Sequence, residues 1–283
     1  MSVVRDQVAI VTGANSGIGA VTALELARAG AHVFLACRSE SKAAPVVERI
    51  RREVGHEQVE FLSLDLADLQ QVRASAACFL DRGLPLGLLI NNAGLASTRG
   101  TTADGFELAF GVNHLGHFLF TLLLLDALKA SASARVVNVS SKAHYRARGV
   151  DFEKVRGPTR TFIGMREYSV SKLANVLFSA ELGRRLEGTG VTTYSLHPGV
   201  VATDVWRRMP WPVDVMYKSF MLSAEEGAAT TLHCAMSEEA ATETGLYYDQ
   251  CKVRTPSPAA RDAVLAAELW ERSVDLAGLS SAL

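Results

Sequence analysis

A strand, a glycine-rich turn and a helix follow one another near the start of the chain, and this order constrains the fold most strongly. Residues 8–11 are short, apolar and largely β-branched, residues 12–19 read TGANSGIG, and an amphipathic segment then runs to Ala29. A second apolar strand follows at 32–37. Glycines in such a turn let the backbone approach a pyrophosphate at a helix N-terminus. The pattern predicts an α/β fold, a doubly wound parallel sheet with helices on both faces. The candidate cofactor-binding residues of the turn are Gly13, Asn15, Ser16, Gly17, Ile18 and Gly19.

The end of the second strand predicts which dinucleotide binds. An acidic residue there would bond the ribose 2′-hydroxyl of NAD, whereas this chain has Arg38. A guanidinium is suited to a 2′-phosphate, with Ser39, Ser41 and Lys42 as candidate helpers. We therefore expect NADP(H) as the cofactor. The alternative is that Arg38 is only a solvated charge at a strand end.

Two further apolar strands end in polar residues. Residues 59–64 lead into Asp65 and Leu66, where the carboxylate has two interpretations: it accepts from an adenine amino group, or Asp65 or Asp68 caps the next helix. Residues 88–90 lead into Asn91, Asn92, Ala93 and Gly94, and small residues there suit close packing around a ligand. Asp65, Leu66, Asn91, Ala93 and Gly94 are therefore added to the expected cofactor site.

Tyr168 and Lys172 stand four residues apart in a segment with helical apolar spacing, so both side chains leave one helix face. A tyrosine hydroxyl with a pKa near ~10 is a poor acid or base at neutrality, and a nearby ammonium group would lower that pKa. The pair therefore suits proton transfer. Alone, Tyr-x-x-x-Lys is common by chance, and an ordinary amphipathic helix is the alternative.

Composition excludes several classes of protein. Lys plus Arg (29) nearly balance Asp plus Glu (30), so no basic field predicts a nucleic-acid partner. The four cysteines lack Cys-x-x-Cys spacing and nearby histidine pairs, which argues against a disulfide scaffold or a metal site. Residues 1–7 leave no room for a signal peptide, and the apolar run 118–125 is too short for a transmembrane anchor. A cytoplasmic protein is expected.

Several motifs together resemble the short-chain dehydrogenases/reductases. They are T-G-x-x-x-G-x-G from Thr12, Asp65, N-N-A-G from Asn91, Asn113, Ser140-Ser141, Tyr168-x-x-x-Lys172 and Pro198-Gly199. Within that family, the sequence resembles the retinol-dehydrogenase-like branch. The motifs are A-C-R at 36–38, N-H-L-G-H-F at 113–118 and H-P-G-V-V at 197–201. The resemblance covers about 7–275 and implies one Rossmann-type domain over 1–283. Its cofactor half would be about 1–140, and the catalytic and substrate part about 141–283.

The resemblance also implies roles for individual residues. Tyr168 would exchange a proton with the substrate oxygen while hydride moves, and Lys172 would lower the Tyr168 pKa and bond the nicotinamide ribose. Ser141, preferred to Ser140 by analogy, would stabilise developing oxyanion charge. Asn113 would complete a water relay to Lys172, unless it only satisfies backbone groups. These four residues, Asn113, Ser141, Tyr168 and Lys172, are the expected catalytic set.

Three later strands are predicted, at 135–139, 191–196 and 245–248, and the segment after 191–196 completes the expected site. His197 is expected to be a packed strand-end residue, and Pro198, Gly199, Val201 and Thr203 are expected to hold the cofactor, as the resemblance implies. Residues 204–222 contain Trp206 and other adaptable apolar side chains. A lid over a lipophilic substrate is the preferred interpretation; a partner interface and a shallow membrane contact are the alternatives. Substrate contacts are expected from Ser141, Tyr168 and Trp206.

Two features leave alternatives open. The spacing from Ser141 to Tyr168 is longer than is common in the family, and the additional residues, within 143–164, either shape the pocket mouth or form a passive surface loop. The helices after Asn113 and Tyr168 either pair subunits into a homodimer or homotetramer or pack within one subunit. The expected function is NADP(H)-dependent interconversion of a lipophilic carbonyl and alcohol. The alternatives are a non-catalytic dinucleotide sensor and a light-dependent tetrapyrrole reductase.

Overall fold

One eight-stranded sheet organises the protein. The computed structural model describes residues 4–199 and 222–280. The strand order is β3-β2-β1-β4-β5-β6-β7-β8, with β1 to β7 parallel and β8 antiparallel to β7. The strands are β1 Val8–Thr12, β2 His32–Cys37, β3 Val59–Ser63, β4 Leu88–Asn91, β5 Ala134–Val139, β6 Val191–His197, β7 Leu246–Asp249 and β8 Lys252–Val253.

The described helices lie on both faces of this sheet. They are α1 Gly17–Arg28, α2 Glu40–Val54, α3 Leu69–Leu80, α4 Leu108–Phe110, α5 Gly116–Leu123, α6 Leu125–Lys129, α7 Met165–Arg185, α8 Ala224–Met236 and α9 Ala263–Ala277. A π-helical turn, Gly111–Leu115, joins α4 to α5. None of the described helices is both long and apolar enough to cross a bilayer.

Alternation along the strands divides the core in two. In β1, Val8 and Ile10 join the core beneath α3, α5, α7 and α9, whereas Ala9 and Val11 join the core beneath α1, α2 and α8. Successive side chains of a strand point to opposite faces, so a strand covered on both sides is apolar throughout. The predicted doubly wound α/β architecture is confirmed. β8 is the strand that the sequence pattern did not predict.

The additional residues before α7 pack onto the segment that precedes α4. Glu107 N donates to Val155 O (2.8 Å) and Gly157 N donates to Gly105 O (2.8 Å). The Thr159 hydroxyl donates to the buried Glu107 carboxylate (2.5 Å), and Val155 is 3% exposed. This segment is therefore part of the packed domain, because its backbone is hydrogen-bonded to the segment before α4 and its Val155 side chain is buried.

The last helix covers α7. Trp270 of α9 is 1% exposed and packs with Phe118 of α5 and Phe178 of α7, at ring centroid distances of 5.2 and 6.0 Å. Ser273 Oγ lies 2.9 Å from His114 Nε2, which joins α9 to the π-helical turn. Apolar surface of α5 and α7 is therefore covered from within the chain.

Candidate active site

A cavity of about 600 Å³ opens at the carboxyl ends of the parallel strands. It lies where the strand order reverses between β1 and β4, the position at which doubly wound sheets bind ligands. Most of the expected site residues line it: Gly13, Asn15, Ser16, Gly17, Ile18, Gly19, Arg38, Asp65, Leu66, Ala93, Gly94, Ser141, Tyr168, Lys172, Pro198 and Gly199. Val201, Thr203, Trp206 and the expected lid, except Leu222, lie outside the described residues.

The glycine turn forms a cradle that side chains would fill. A Cβ on Gly19 would lie 2.5 Å from Gly13 O and 2.6 Å from Asn92 Nδ2. Gly13 adopts a φ of +66°, and a Cβ there would lie 3.0 Å from Ala93. No side-chain hydrogen bond from Ser16 caps α1. The turn, the N-terminus of α1 and Ala93 therefore present backbone to the cavity, which fits a dinucleotide pyrophosphate.

Thr12 joins the cradle to the residues after β4. Its buried Oγ1 accepts from Asn92 N and Ala93 N, both at 2.9 Å, and lies 2.9 Å from His117 Nε2. His117 Nδ1 lies 3.1 Å from Asn113 O, a carbonyl that only accepts, so the ring proton is on Nδ1. The Thr12 hydroxyl therefore donates to Nε2. Sequence reasoning missed His117, although the motif around it marked the segment.

Arg38 and Asp65 lie beside each other on the cavity wall, just after β2 and β3. Arg38 is 75% exposed, and its Nε lies 4.0 Å from Asp65 Oδ2. Asp65 Oδ1 accepts from Ala67 N (3.0 Å), whereas Asp68 caps α3 by accepting from Gln70 and Gln71. Asp68 is therefore the helix cap, and Asp65 is left on the cavity wall.

Tyr168 and Ser141 meet at the other end of the cavity. Both side chains line the cavity; burial raises the pKa of Tyr168, and the nearby Ser141 side chain opposes the rise. Ser141 Oγ also accepts from Ala143 N (3.1 Å). The neighbouring Ser140 is 2% exposed and donates to Lys172 O (2.7 Å). Of the two serines, Ser141 is thus the one whose hydroxyl contacts Tyr168.

Lys172 is buried one helical turn from Tyr168. Its Nζ donates to Val139 O (2.8 Å) and lies 5.8 Å from the centre of the Tyr168 ring. Burial lowers the pKa of Lys172 to about 8. Burial dominates the Tyr168 pKa here and the ammonium group is held by the Val139 carbonyl, so the expectation that Lys172 lowers the Tyr168 pKa stays a prediction.

Asn113 does not line the cavity and instead holds the backbone of Leu95. Its Oδ1 accepts from Leu95 N (2.9 Å), and its Nδ2 donates to Leu95 O (3.0 Å) and Ser171 Oγ (2.9 Å). A Cβ on Gly94 would lie 3.3 Å from Lys172 Nζ and 3.4 Å from Asn113 Oδ1. Asn113 therefore supports the cavity wall beside Lys172, while its expected part in a water relay stays a prediction.

Asn91 is the other expected residue that the structure keeps away from the cavity wall. Its side chain is 2% exposed and donates to Thr121 Oγ1 (3.0 Å) and Asn138 Oδ1 (2.9 Å). The reason is the alternation of β4, which turns this side chain toward α5. Asn92, one residue later, lines the cavity instead.

The described residues fit a dinucleotide and contain no metal site. A glycine cradle, a strand-end arginine and a hydroxyl pair at the far end share one cavity. No cluster of three or more histidine, cysteine or acidic side chains is placed to hold a metal ion within residues 4–199 and 222–280.

Comparisons with known proteins agree with this architecture. The family model for short chain dehydrogenase matches residues 7–211. Human retinol dehydrogenase 11 is 46% identical over 277 residues, covering 96% of this chain and 86% of that protein. Dehydrogenase/reductase SDR family member 13 of Bos taurus is 48% identical over 284 residues, covering 97% and 74%.

Solved structures extend the likeness. A crystal structure of a protein from Mycobacterium Paratuberculosis is 36% identical with a TM-score of 0.79, covering 99% of this chain and 96% of that one. The Pseudomonas aeruginosa RhlG/NADP active-site complex is 26% identical with a TM-score of 0.69, covering 86% and 94%. The resemblance found in the sequence motifs is therefore confirmed. This chain belongs to the short-chain dehydrogenase/reductase family of NAD(P)(H)-binding oxidoreductases, in the branch that resembles the retinol dehydrogenases.

Proposed function

We propose that this protein is an NADP(H)-dependent oxidoreductase that interconverts a carbonyl and an alcohol on a lipophilic substrate. The observation that carries the proposal is that Tyr168, Ser141 and Lys172 line the same cavity as the glycine cradle. A bound nicotinamide dinucleotide would supply or accept the hydride. The proposed holding residues are the expected ones that line the cavity, together with Val201 and Thr203.

Tyr168 is proposed as the proton donor in the reductive direction. Because burial raises its pKa, the phenol carries its proton at neutral pH and can donate it to a carbonyl oxygen. The Ser141 hydroxyl, which lines the cavity beside the phenol, would turn its single proton toward that oxygen as negative charge develops. With a pKa of about 8, Lys172 is mostly cationic at pH 7 and would stabilise the phenolate that remains.

Arg38 supports the preference for NADP(H). Its guanidinium is 75% exposed at the end of β2, where it can turn from Asp65 toward a 2′-phosphate. We expect Arg38→Gln to weaken NADPH binding about tenfold and to leave NADH binding nearly unchanged. Fluorescence titration of both cofactors measures this, and equal effects on the two would refute the role of Arg38.

The substrate end of the cavity supports a lipophilic substrate. The cavity lining includes the apolar residues Leu95, Ala96, Leu108 and Val112. The relatives' names also refer to retinol, a lipophilic alcohol. Trp206, proposed as a further substrate contact, belongs to residues 200–221, which the structure does not describe. A reducing compartment such as the cytosol is proposed because all four cysteines, each within the described residues, are free thiols.

Turnover of NADPH tests the proposal. Purified protein is mixed with NADPH and a panel of retinoid, steroid and short aldehydes, and the loss of NADPH absorbance is followed. We expect NADPH to be oxidised when bulky apolar aldehydes are added. In Tyr168→Phe, which keeps the ring and removes the proton donor, the turnover rate should fall at least 10²-fold. Cofactor binding without turnover on any carbonyl would favour a sensor. Turnover that required illumination would favour a tetrapyrrole reductase.

A further inference from the structure

Two histidines hold the two ends of one peptide group at the edge of the cavity. His144 Nδ1 lies 2.7 Å from Ser141 O, and Lys142 N donates to His197 Nδ1 (3.3 Å). The carbonyl and the N–H belong to the same peptide, between Ser141 and Lys142. The rings come from different parts of the fold, a 3₁₀ turn over Lys142–Arg146 and the end of β6.

The hydrogen bonds assign one tautomer to each ring. A carbonyl only accepts, so His144 carries its proton on Nδ1, and its Nε2 accepts from Ser257 N (3.2 Å). The Lys142 N–H only donates, so His197 Nδ1 carries the lone pair and Nε2 the proton. The two rings are therefore neutral and in opposite tautomers. Burial lowers both pKa values, that of His197 to about 4.

The surroundings of the rings leave little freedom for other geometries. His144 is 0% exposed and packs between Tyr145 and Tyr247, at centroid distances of 4.1 and 4.9 Å. The Tyr145 hydroxyl donates to Thr255 O (2.6 Å), which fastens the same turn to the segment after β8.

His197 is 5% exposed and lines the cavity. The charged groups nearby are Asp249 of β7, which raises the pKa of His197, and Lys142, which lowers it; they pair with each other at 2.9 Å. His144 lowers the same pKa. The Lys142–Asp249 ion pair joins the loop after β5 to the end of β7. The Ser141–Lys142 peptide is therefore held by His144, by His197 and by this ion pair.

We propose that His144 and His197 are positioning residues that aim the Ser141 hydroxyl at Tyr168 by holding the Ser141–Lys142 peptide. The inference rests on the proposed function, in which Ser141 stabilises the substrate oxygen. Neither imidazole donates a proton to the substrate in this role. Displacing a catalytic group by about 1 Å can cost ~10²-fold in rate, so an unheld peptide would reduce turnover without removing any reacting group.

Paired substitutions test the inference. An asparagine amide superimposes on the Nδ1 side of a histidine ring, whereas a glutamine amide superimposes on the Nε2 side. His144→Asn keeps a donor for Ser141 O, and His197→Asn keeps an acceptor for Lys142 N. We expect both asparagine variants to keep kcat within about threefold, and both glutamine variants to lose at least about tenfold in kcat with unchanged KM for NADPH.

Combination with Ser141→Ala separates positioning from general damage. If His144 acts through Ser141, adding His144→Gln to Ser141→Ala causes no further loss of kcat, whereas independent roles would multiply the losses. Multiplying losses, or equal losses in the asparagine and glutamine variants, would overturn the inference.

Tautomer measurement in the wild-type protein needs neither a variant nor turnover. With ¹⁵N-histidine labelling, long-range ¹H–¹⁵N correlation at pH 7.5 should assign Nδ1–H to His144 and Nε2–H to His197. Any other tautomer at either ring would overturn the inference even if the protein is active. If the wild-type protein reduces no carbonyl, the proposed function fails, whereas these two tautomers would still support the held peptide.

Discussion

The Thr12 hydroxyl is a hydrogen-bonding centre whose removal has a calculable cost. It accepts from Ala93 N and Asn92 N and donates to His117 Nε2, in a site that is 0% exposed. Thr12→Val keeps the shape of the side chain and removes the oxygen. Asn92 N retains a bond to Ile90 O (2.9 Å), so two groups, Ala93 N and His117 Nε2, lose a partner.

Each buried group without a partner costs about 1–3 kcal/mol, so Thr12→Val should destabilise the protein by about 2–6 kcal/mol. The matched control is Thr12→Ser, which keeps the hydroxyl and removes one methyl group at a cost of about 1 kcal/mol. Because Ala93 lines the cavity, we also expect Thr12→Val to bind NADPH more weakly than the control.

Chemical denaturation followed by circular dichroism gives the free energy of unfolding of the three proteins, provided that their m-values agree. Fluorescence titration gives the Kd for NADPH. If Thr12→Val proved as stable as Thr12→Ser, the hydroxyl would not carry the bonds described here, and its donation to His117 Nε2 would fail with them.

Three further predictions follow from burial and packing. Gly19→Ala should weaken NADPH binding at least tenfold because its Cβ would lie 2.5 Å from a carbonyl oxygen, while Gly149→Ala, with nothing within 4 Å, should bind normally; equal Kd values would contradict this. Trp270→Ala should lower the free energy of unfolding by about 3–5 kcal/mol, because Trp270 is 1% exposed. The control Val264→Ala should lower it by less than about 0.5 kcal/mol, because Val264 is 79% exposed. Acid should destabilise the protein, because burial lowers three histidine pKa values to between about 3 and about 4, from an ordinary 6.5. As the pH falls, these histidines bind protons in the unfolded chain before they do so in the folded protein. The histidine contribution to stability is therefore complete above pH 6.5 and falls toward pH 4 by up to about 1.4 kcal/mol per pH unit per histidine. Urea titrations with equal midpoints at pH 7.5 and 5 would refute this. The three histidines are His114, His117 and His197.

The local features of the sequence were sufficient for the sheet and for much of the site. Glycines at 13, 17 and 19 between a strand and a helix predict the cradle. A turn without side chains needs glycines at fixed, closely spaced positions, and that spacing is visible in the sequence. Strand ends predict which residues reach the cavity, and Arg38 and Asp65 are found there. These predictions depend on periodicity and chain order alone.

Contacts between distant residues escaped prediction. The bond between Thr12 and His117 joins residues 105 positions apart, and that between Ser257 and His144 joins residues 113 apart. The sequence around His117 and His144 contains no motif that predicts which distant residue each ring contacts. Asn91 differs for another reason: the motif predicts the turn, whereas the alternation of β4 decides which of two adjacent asparagines lines the cavity.

The helix that carries Trp270 also bears on how the protein is made. Phe118 and Phe178 leave the ribosome well before Trp270, so the apolar surface of α5 and α7 stays exposed to water during synthesis until α9 docks. Exposed surface of that kind is where nascent chains aggregate and where chaperones bind. Deletions confined to α9, which contributes no residue to the cavity lining, are therefore expected to reduce the yield of folded protein.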